Sequence, residues 1–225
     1  TRYRDLHNVQ LKQIGDMKVQ FNPGRIVSTG AKIDSKTLEK RPCFLCDSNR
    51  PKEQMAKSID DKFALLVNPF PILPTHFTIP AKRHQLQSIK KNYGEIYKIL
   101  SRFDDIIVFY NGPKCGASAP DHLHFQAGTK DFLPLVNDYK RLKDTHAQLL
   151  VESENFQLYN FNNYLRTVYC IESTDVESAK DAFEKLYTHF QQLSLPALPK
   201  GERAEPMLNI VCTFEDGKWF TFVLP

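Results

Sequence analysis

NGPKCGASAPDHLHFQ, residues 111–126, changes character halfway along. Glycines, a proline and small residues dominate its first half, which predicts a tight loop whose backbone N–H groups can approach a phosphate. After Pro120 the pattern becomes strict alternation. On a strand, residues two apart share a face. His122, His124 and Gln126 should therefore line one wall, while Leu123 and Phe125 enter a core. A lone histidine is usually a satisfied or solvated side chain, and His7, His146 and His189 are read that way. A His-x-His-x-Gln run directly after a phosphate-type loop is specific enough to read as a site.

Upstream, Phe63–Val67 predicts a buried strand that ends at Asn68-Pro69-Phe70-Pro71, where prolines force an extended turn. Thr75–Ile79 predicts a second strand, stopped by Pro80. The segment from Ala81 leads into an expected amphipathic helix with apolar positions Leu86, Ile89, Tyr93, Ile96, Leu100 and Phe103. Ile106–Tyr110 is the strand that delivers the chain to Asn111. This order implies an α+β fold, an antiparallel sheet with helices packed on it. Residues 1 to about 40 are polar, broken at Asn22-Pro23-Gly24 and Gly30, and read as short strands or a lead-in arm.

Downstream, a helical pattern runs over 134–150 through Leu135, Tyr139, Leu142, His146 and Leu149. The earlier order then returns in degenerate form: strands at 156–160 and 167–171, a helix carrying Val176, Ala179, Phe183, Leu186 and Phe190, and a strand at 207–212. A linker, Leu195–Gly201, interrupts it. We expect a catalytic half over 1–150 and a degenerate second half over 151–225 that has no His-x-His; generic alternation of strands and helices gives the same impression.

The 225 residues suffice to bury a core, and 41% hydrophobic with 25% charged residues is ordinary for a globular domain. A net charge of +4 without a long basic run suits phosphorylated small molecules better than a nucleic-acid backbone. No apolar run reaches the roughly 20 residues that span a bilayer, so no membrane partner is expected. The chain starts at Thr1 rather than Met and stops on the apolar run Trp219–Pro225, as a fragment of a longer protein would. Five cysteines, an odd number with one close pair, argue against a disulfide framework and for a reducing, cytoplasmic setting. The pair Cys43-Phe44-Leu45-Cys46 lets two thiolates reach one zinc ion and supplies half of a tetrahedral site. A redox dithiol is the rival reading.

Together these motifs resemble the histidine-triad superfamily, in the nucleotidyltransferase branch that contains galactose-1-phosphate uridylyltransferases, diadenosine tetraphosphate phosphorylases and GDP-galactose phosphorylases. Transferases of that superfamily end the phosphate loop in His-x-His-x-Gln, hydrolases in His-x-His-x-His, and Gln126 falls with the transferases. Asn68, Pro71, His76, Ile79-Pro80 and Arg83-His84 match the pattern upstream, so the resemblance covers about residues 41–128. It departs at the loop, where three residues rather than two separate Ser118 from His122, Asp121 being the extra one.

The resemblance implies a covalent nucleotidyl-imidazole on His124, with the carbonyl of His122 holding the other ring proton. Gln126 would bond a phosphoryl oxygen without offering a titratable proton. Ser118 and the 112–118 backbone, Gly116 among it, would bind the α-phosphate, Lys114, Lys82 or Arg83 the outer phosphates, and Asn68 the ribose, with Asn111 also among the nucleotide-binding residues. It also completes the metal site with His84 and His122 beside Cys43 and Cys46, a closed structural zinc. The implied substrate is a nucleoside diphosphate sugar or dinucleoside polyphosphate, with phosphate or a sugar phosphate as acceptor and a homodimer allowed. Against it stand a hydrolase of the same superfamily and a zinc-stabilised nucleotide-binding module without turnover.

Overall fold

The computed structural model describes residues 2–25, 34–193 and 205–225. The breaks expected at Gly30 and Leu195–Gly201 lie outside the described residues. In chain order the elements are β1 (Gln10–Ile14), β2 (Met17–Phe21), α1 (Ser35–Lys40), β3 (Ala56–Ser58), β4 (Ala64–Val67), β5 (His76–Pro80) and α2 (Tyr93–Leu100). There follow β6 (Ile106–Asn111), β7 (His124–Thr129), α3 (Pro134–His146), β8 (Ala147–Glu152), β9 (Phe156–Phe161), β10 (Val168–Ser173), α4 (Val176–Leu193), β11 (Asn209–Glu215) and β12 (Lys218–Leu224). The fold is α+β. Its strands pair antiparallel, and the chain divides into two compact units, Thr1–Gln87 with Ser118–Pro134 and Ser88–Ala117 with Leu135–Pro225. Among the described residues, no helix is long and apolar enough to cross a membrane.

The first unit holds the strand order β3-β4-β5-β7 and the separate β1-β2 hairpin. Its register places Thr78 opposite Gln126 and Pro80 opposite His124. Directly opposed residues of an antiparallel pair project to the same side, so these four share a face. The lead-in arm is tied to the turn that follows β4. Gln20, Asn22 and Arg25 donate to the carbonyls of Ile72, Pro71 and Phe70, and the Tyr3 hydroxyl bonds the backbone of His76 in both directions.

The second unit holds the order β6-β11-β12-β10-β9-β8. The apolar run at the end of the sequence is β12, between β11 and β10, which accounts for its hydrophobicity. Thr221 of β12 accepts from the hydroxyl of Tyr93 and bonds that of Tyr97 on α2, while its neighbour Phe222 packs edge-on against Tyr139 of α3. Adjacent strand residues point to opposite faces, so α2 and α3 cover opposite sides. On the α2 side, Phe183 of α4 stacks on Tyr93 with ring centroids 3.7 Å apart.

Three expectations are corrected. The helix expected from Leu86 begins only at Tyr93, and Leu86 is 73% exposed. Backbone groups at 85–87 are committed elsewhere: Leu123 N–H donates to the Gln85 carbonyl and Gln87 N–H to that of Pro120. Those bonds compete with the helical ladder. The helix expected over 134–150 stops at His146, and Leu149 lies on β8, where pairing with β9 takes over the backbone hydrogen bonds. His122 lies in a bend before β7 rather than on the strand, so it does not share the alternation of His124 and Gln126.

Strand pairing can be compared unit by unit. In the first, β3, β4 and β5 pair in succession and β7 pairs back onto β5; in the second, β8, β9 and β10 pair in succession and β12 pairs back onto β10. At the register position of His124, opposite the last residue of the third strand, the later run has Trp219 opposite Ser173. The turn between β11 and β12 is Asp216-Gly217, with φ of 51° and 74°.

Candidate active site and metal centre

The first unit assembles the chemistry around three imidazoles and one amide. His124 is 4% exposed. Its Nδ1 lies 2.8 Å from the His122 carbonyl, which can only accept, so Nδ1 carries the proton and Nε2 keeps its lone pair. Burial pushes the His124 imidazole below its ordinary pKa, against the raising effect of that carbonyl, so the ring is neutral near pH 7. Gln87 fixes the backbone at this point: His124 N–H donates to its side-chain oxygen at 2.8 Å, and its side-chain nitrogen donates to the His124 carbonyl at 3.1 Å.

Gln126 is oriented by His76. The Ile72 N–H donates to His76 Nδ1 at 3.1 Å, so the ring proton sits on Nε2, which lies 2.9 Å from the Gln126 side-chain oxygen. With its oxygen thus occupied, Gln126 presents its NH2 group as a donor. His76 is fully buried, and burial pushes its pKa down to about 4, which holds it neutral. Asn68 closes the turn by accepting from Phe70 N–H at 2.8 Å and donating to Thr78 Oγ1 at 3.0 Å.

The metal cluster is four side chains from three loops. Cys43, Cys46, His84 and His122 offer ligand atoms that all lie within 4.8 Å of one another. The His122 Nδ1 is 3.2 Å from Cys43 Sγ, 3.6 Å from Cys46 Sγ and 3.2 Å from His84 Nδ1, and Cys46 Sγ is 3.3 Å from His84 Nδ1. Tetrahedral zinc with Zn–S and Zn–N bonds of ordinary length requires sulfur-to-nitrogen edges of about 3.6 Å and nitrogen-to-nitrogen edges of about 3.3 Å. The donor set therefore fits a tetrahedral cation. His122 Nε2 donates to the Ala81 carbonyl at 2.7 Å, which frees Nδ1 to ligate. Burial pushes the Cys43 thiol above its usual pKa, while N–H groups of Leu45 and Cys46 favour its thiolate. The cluster can hold a metal ion. The extra loop residue, Asp121, is anchored by Arg41 at 2.6 Å.

Other expected residues are placed less centrally. Lys82 Nζ is held by Ser58 Oγ at 2.7 Å and by the Asp60 carbonyl, and Arg83 and Ser118 are exposed. Asn111, Lys114 and Gly116 belong to the second unit. There Gly116 has a φ of 94°, which a side chain would strain, and the N–H groups of Cys115 and Ala117 turn inward to the Gly112 carbonyl. Sequence reasoning gave no role to Gln87 and left that of His76 open. The signal for His76 was its place on the strand opposite His-x-His-x-Gln; Gln87 carried none, lying in a segment that reads as helix.

The chain belongs to the family described as Domain of unknown function (DUF4922), whose sequence profile matches residues 1–129. No curated protein sequence matches it. Among solved structures, the chain is similar to the yeast Ap4A phosphorylase Apa2, with a TM-score of 0.62 and 15% identity over 95% of this chain and 73% of that one. The same enzyme in complex with AMP gives 0.55 and 18% identity over 95% and 70%. A DUF4931 family protein from Bacillus cereus ATCC 10987 gives 0.50 and 15% over 76% and 85%. At these identities the likeness establishes a shared fold.

Proposed function

We propose that this DUF4922 chain is a nucleotidyltransferase or phosphorylase that acts on a nucleoside diphosphate sugar or dinucleoside polyphosphate through a nucleotidyl-His124 intermediate. The observation that carries this reading is the tautomer of His124. Its Nδ1 proton is committed to the His122 carbonyl, so the free Nε2 lone pair is the nucleophile. Gln126, aimed by His76, donates to a non-bridging phosphoryl oxygen as charge develops there. It carries no titratable proton for activating water, which favours transfer over hydrolysis. The yeast enzyme of similar fold is an Ap4A phosphorylase whose structure holds AMP, and this supports a nucleotide as the group transferred.

In this reading Asn68 contacts the ribose and Ser118, Gly116 and Lys114 the phosphates, with phosphate or a sugar phosphate as acceptor. Cys43, Cys46, His84 and His122 hold a structural zinc, which when bound fixes the residue whose carbonyl orients His124. The parallel strand order of the two runs supports a duplication, with residues 151–225 in a half that has lost the histidine. The test is a panel of UDP-, GDP- and ADP-linked ligands, scored by thermal shift and by product formation with phosphate or water as acceptor. Faster release to phosphate than to water is expected; release to water alone would leave the hydrolase reading in place of this one.

A further inference from the structure

His124 depends on a side chain to which the proposed chemistry gives no part. In the β5–β7 pairing, Ala81 N–H donates to the Leu123 carbonyl at 2.9 Å and Thr129 N–H to the Thr75 carbonyl at 3.1 Å. Hydrogen-bonded and non-hydrogen-bonded pairs alternate along an antiparallel ladder, so Pro80 and His124 oppose each other without exchanging backbone bonds. The N–H and C=O of His124 therefore point away from β5. Gln87, 3% exposed, meets both with one amide. Its side-chain oxygen accepts from the His124 N–H at 2.8 Å, and its side-chain nitrogen donates to the His124 carbonyl at 3.1 Å. Because the N–H can only donate and the carbonyl only accept, one orientation of the amide fits. The two bonds fix the peptide planes on either side of the His124 Cα, and with them the direction of Cβ and the ring. The segment that carries Gln87 is itself seated on the loop: Leu123 N–H donates to the Gln85 carbonyl at 2.6 Å, and Gln87 N–H to the Pro120 carbonyl at 3.1 Å. Residues 85–87 thus grip residues 120–124 by backbone and side chain together.

We propose that Gln87 is a positioning residue for the nucleophile. Its amide pairs with His124 as a strand backbone would, and so sets the ring with Nδ1 on the His122 carbonyl and Nε2 toward the incoming phosphorus. The part it plays in transfer rests on the nucleotidyl-His124 reading. In that step Nε2 forms the P–N bond as the P–O bond to the leaving group breaks, and the electron pair of that bond departs on the oxygen. A misplacement of about 1 Å at a reacting group can cost about a hundredfold in rate. Gln87 acts through the His124 backbone, so its loss should slow the step without weakening substrate binding.

The experiment compares the full native chain with Gln87→Met, which keeps the bulk and removes both bonds, and with Gln87→Asn, which keeps the amide but is one carbon too short to make both. Single-turnover adduct formation is followed over a range of Ap4A and, separately, UDP-glucose concentrations. The maximal rate should fall at least tenfold in Gln87→Met and at least fivefold in Gln87→Asn, with the half-saturating concentration within threefold of native. Long-range proton–nitrogen correlation spectra of chain labelled with 15N-histidine, assigned through His124→Asn, report the ring. Native His124 should show a protonated Nδ1 and a bare Nε2, and both variants a shift toward mixed tautomers. If Gln87→Met does not fold, Gln87→Asn decides by the same two readings. A maximal rate within twofold of native, a loss confined to half-saturation, or a slower rate with an unchanged tautomer overturns the proposal. So does slowing that follows loss of metal from the chain, measured by elemental analysis of the same samples. If the native chain forms no adduct, the His124 reading falls, and the tautomer shift alone then decides whether Gln87 sets the ring.

Discussion

Replacing His76 by leucine removes the imidazole that positions Gln126 while keeping an apolar side chain of similar bulk. Two polar groups then lose their partner: the Ile72 N–H, which donates to Nδ1 at 3.1 Å, and the Gln126 oxygen, which accepts from Nε2 at 2.9 Å. A stranded buried polar group costs about 1–3 kcal/mol. Gln126 is only partly buried and water can reach it, so the sum should be about 2–4 kcal/mol, most of it from the amide. The chemistry should suffer separately. Losing about 1.4 kcal/mol of orientation for a transition-state donor slows nucleotidyl-His124 formation about tenfold. Urea unfolding gives the first quantity and single-turnover trapping the second. Stability within about 0.5 kcal/mol of native would show that the two hydrogen bonds do not form as described. Lost stability with an unchanged trapping rate would show that His76 does not set the working orientation of Gln126.

The same residue predicts an acid dependence. His76 has a folded pKa of about 4 against an ordinary 6.5, so between these values the unfolded chain binds the proton and the folded one does not. Its contribution is complete above pH 6.5 and falls as pH drops toward 4. By pH 5 it should amount to about 2 kcal/mol lost, measured as the difference in slope between native and His76→Leu in urea unfolding across pH. Gly128, opposite His76, has no room for a side chain: a Cβ there would lie 2.4 Å from Leu73 Cδ1 and 2.4 Å from the Thr75 carbonyl oxygen. Because the carbonyl belongs to the backbone, Gly128→Ala should destabilise the first unit by about 2–3 kcal/mol, read by chemical denaturation. Purified chain should carry a single equivalent of zinc by elemental analysis, and Cys46→Ser or a strong chelator should remove it and lower the melting temperature. Metal-free folded protein with an unchanged melting temperature would contradict the structural zinc.

Much of the sheet is legible in the sequence because its strands are bounded by local signals. Pro69 and Pro71 end β4, Pro80 ends β5, and the alternation of His124 through Gln126 marks β7. The metal cluster is legible only in part. Cys43-x-x-Cys46 announces two ligands, but local spacing says nothing of His84 and His122, which depend on the chain path; the family resemblance supplied them. Where periodicity misled, nonlocal hydrogen bonds were the cause. Leu86 and Ile89 are spaced as helix residues, yet the Gln85 carbonyl serves Leu123 and the Gln87 side chain serves the backbone of His124. No window of sequence contains both ends of such a bond.

The central claim is that His124 Nε2 forms a bond to phosphorus. Intact-mass measurement of the native chain and of His124→Asn, after incubation with dinucleoside polyphosphates and nucleoside diphosphate sugars and a neutral quench, tests it most directly. The account predicts a mass increase of one nucleotidyl group on the native chain, lost in acid and absent from His124→Asn. The same increase on both chains, or on neither with a ligand that demonstrably binds, would contradict it.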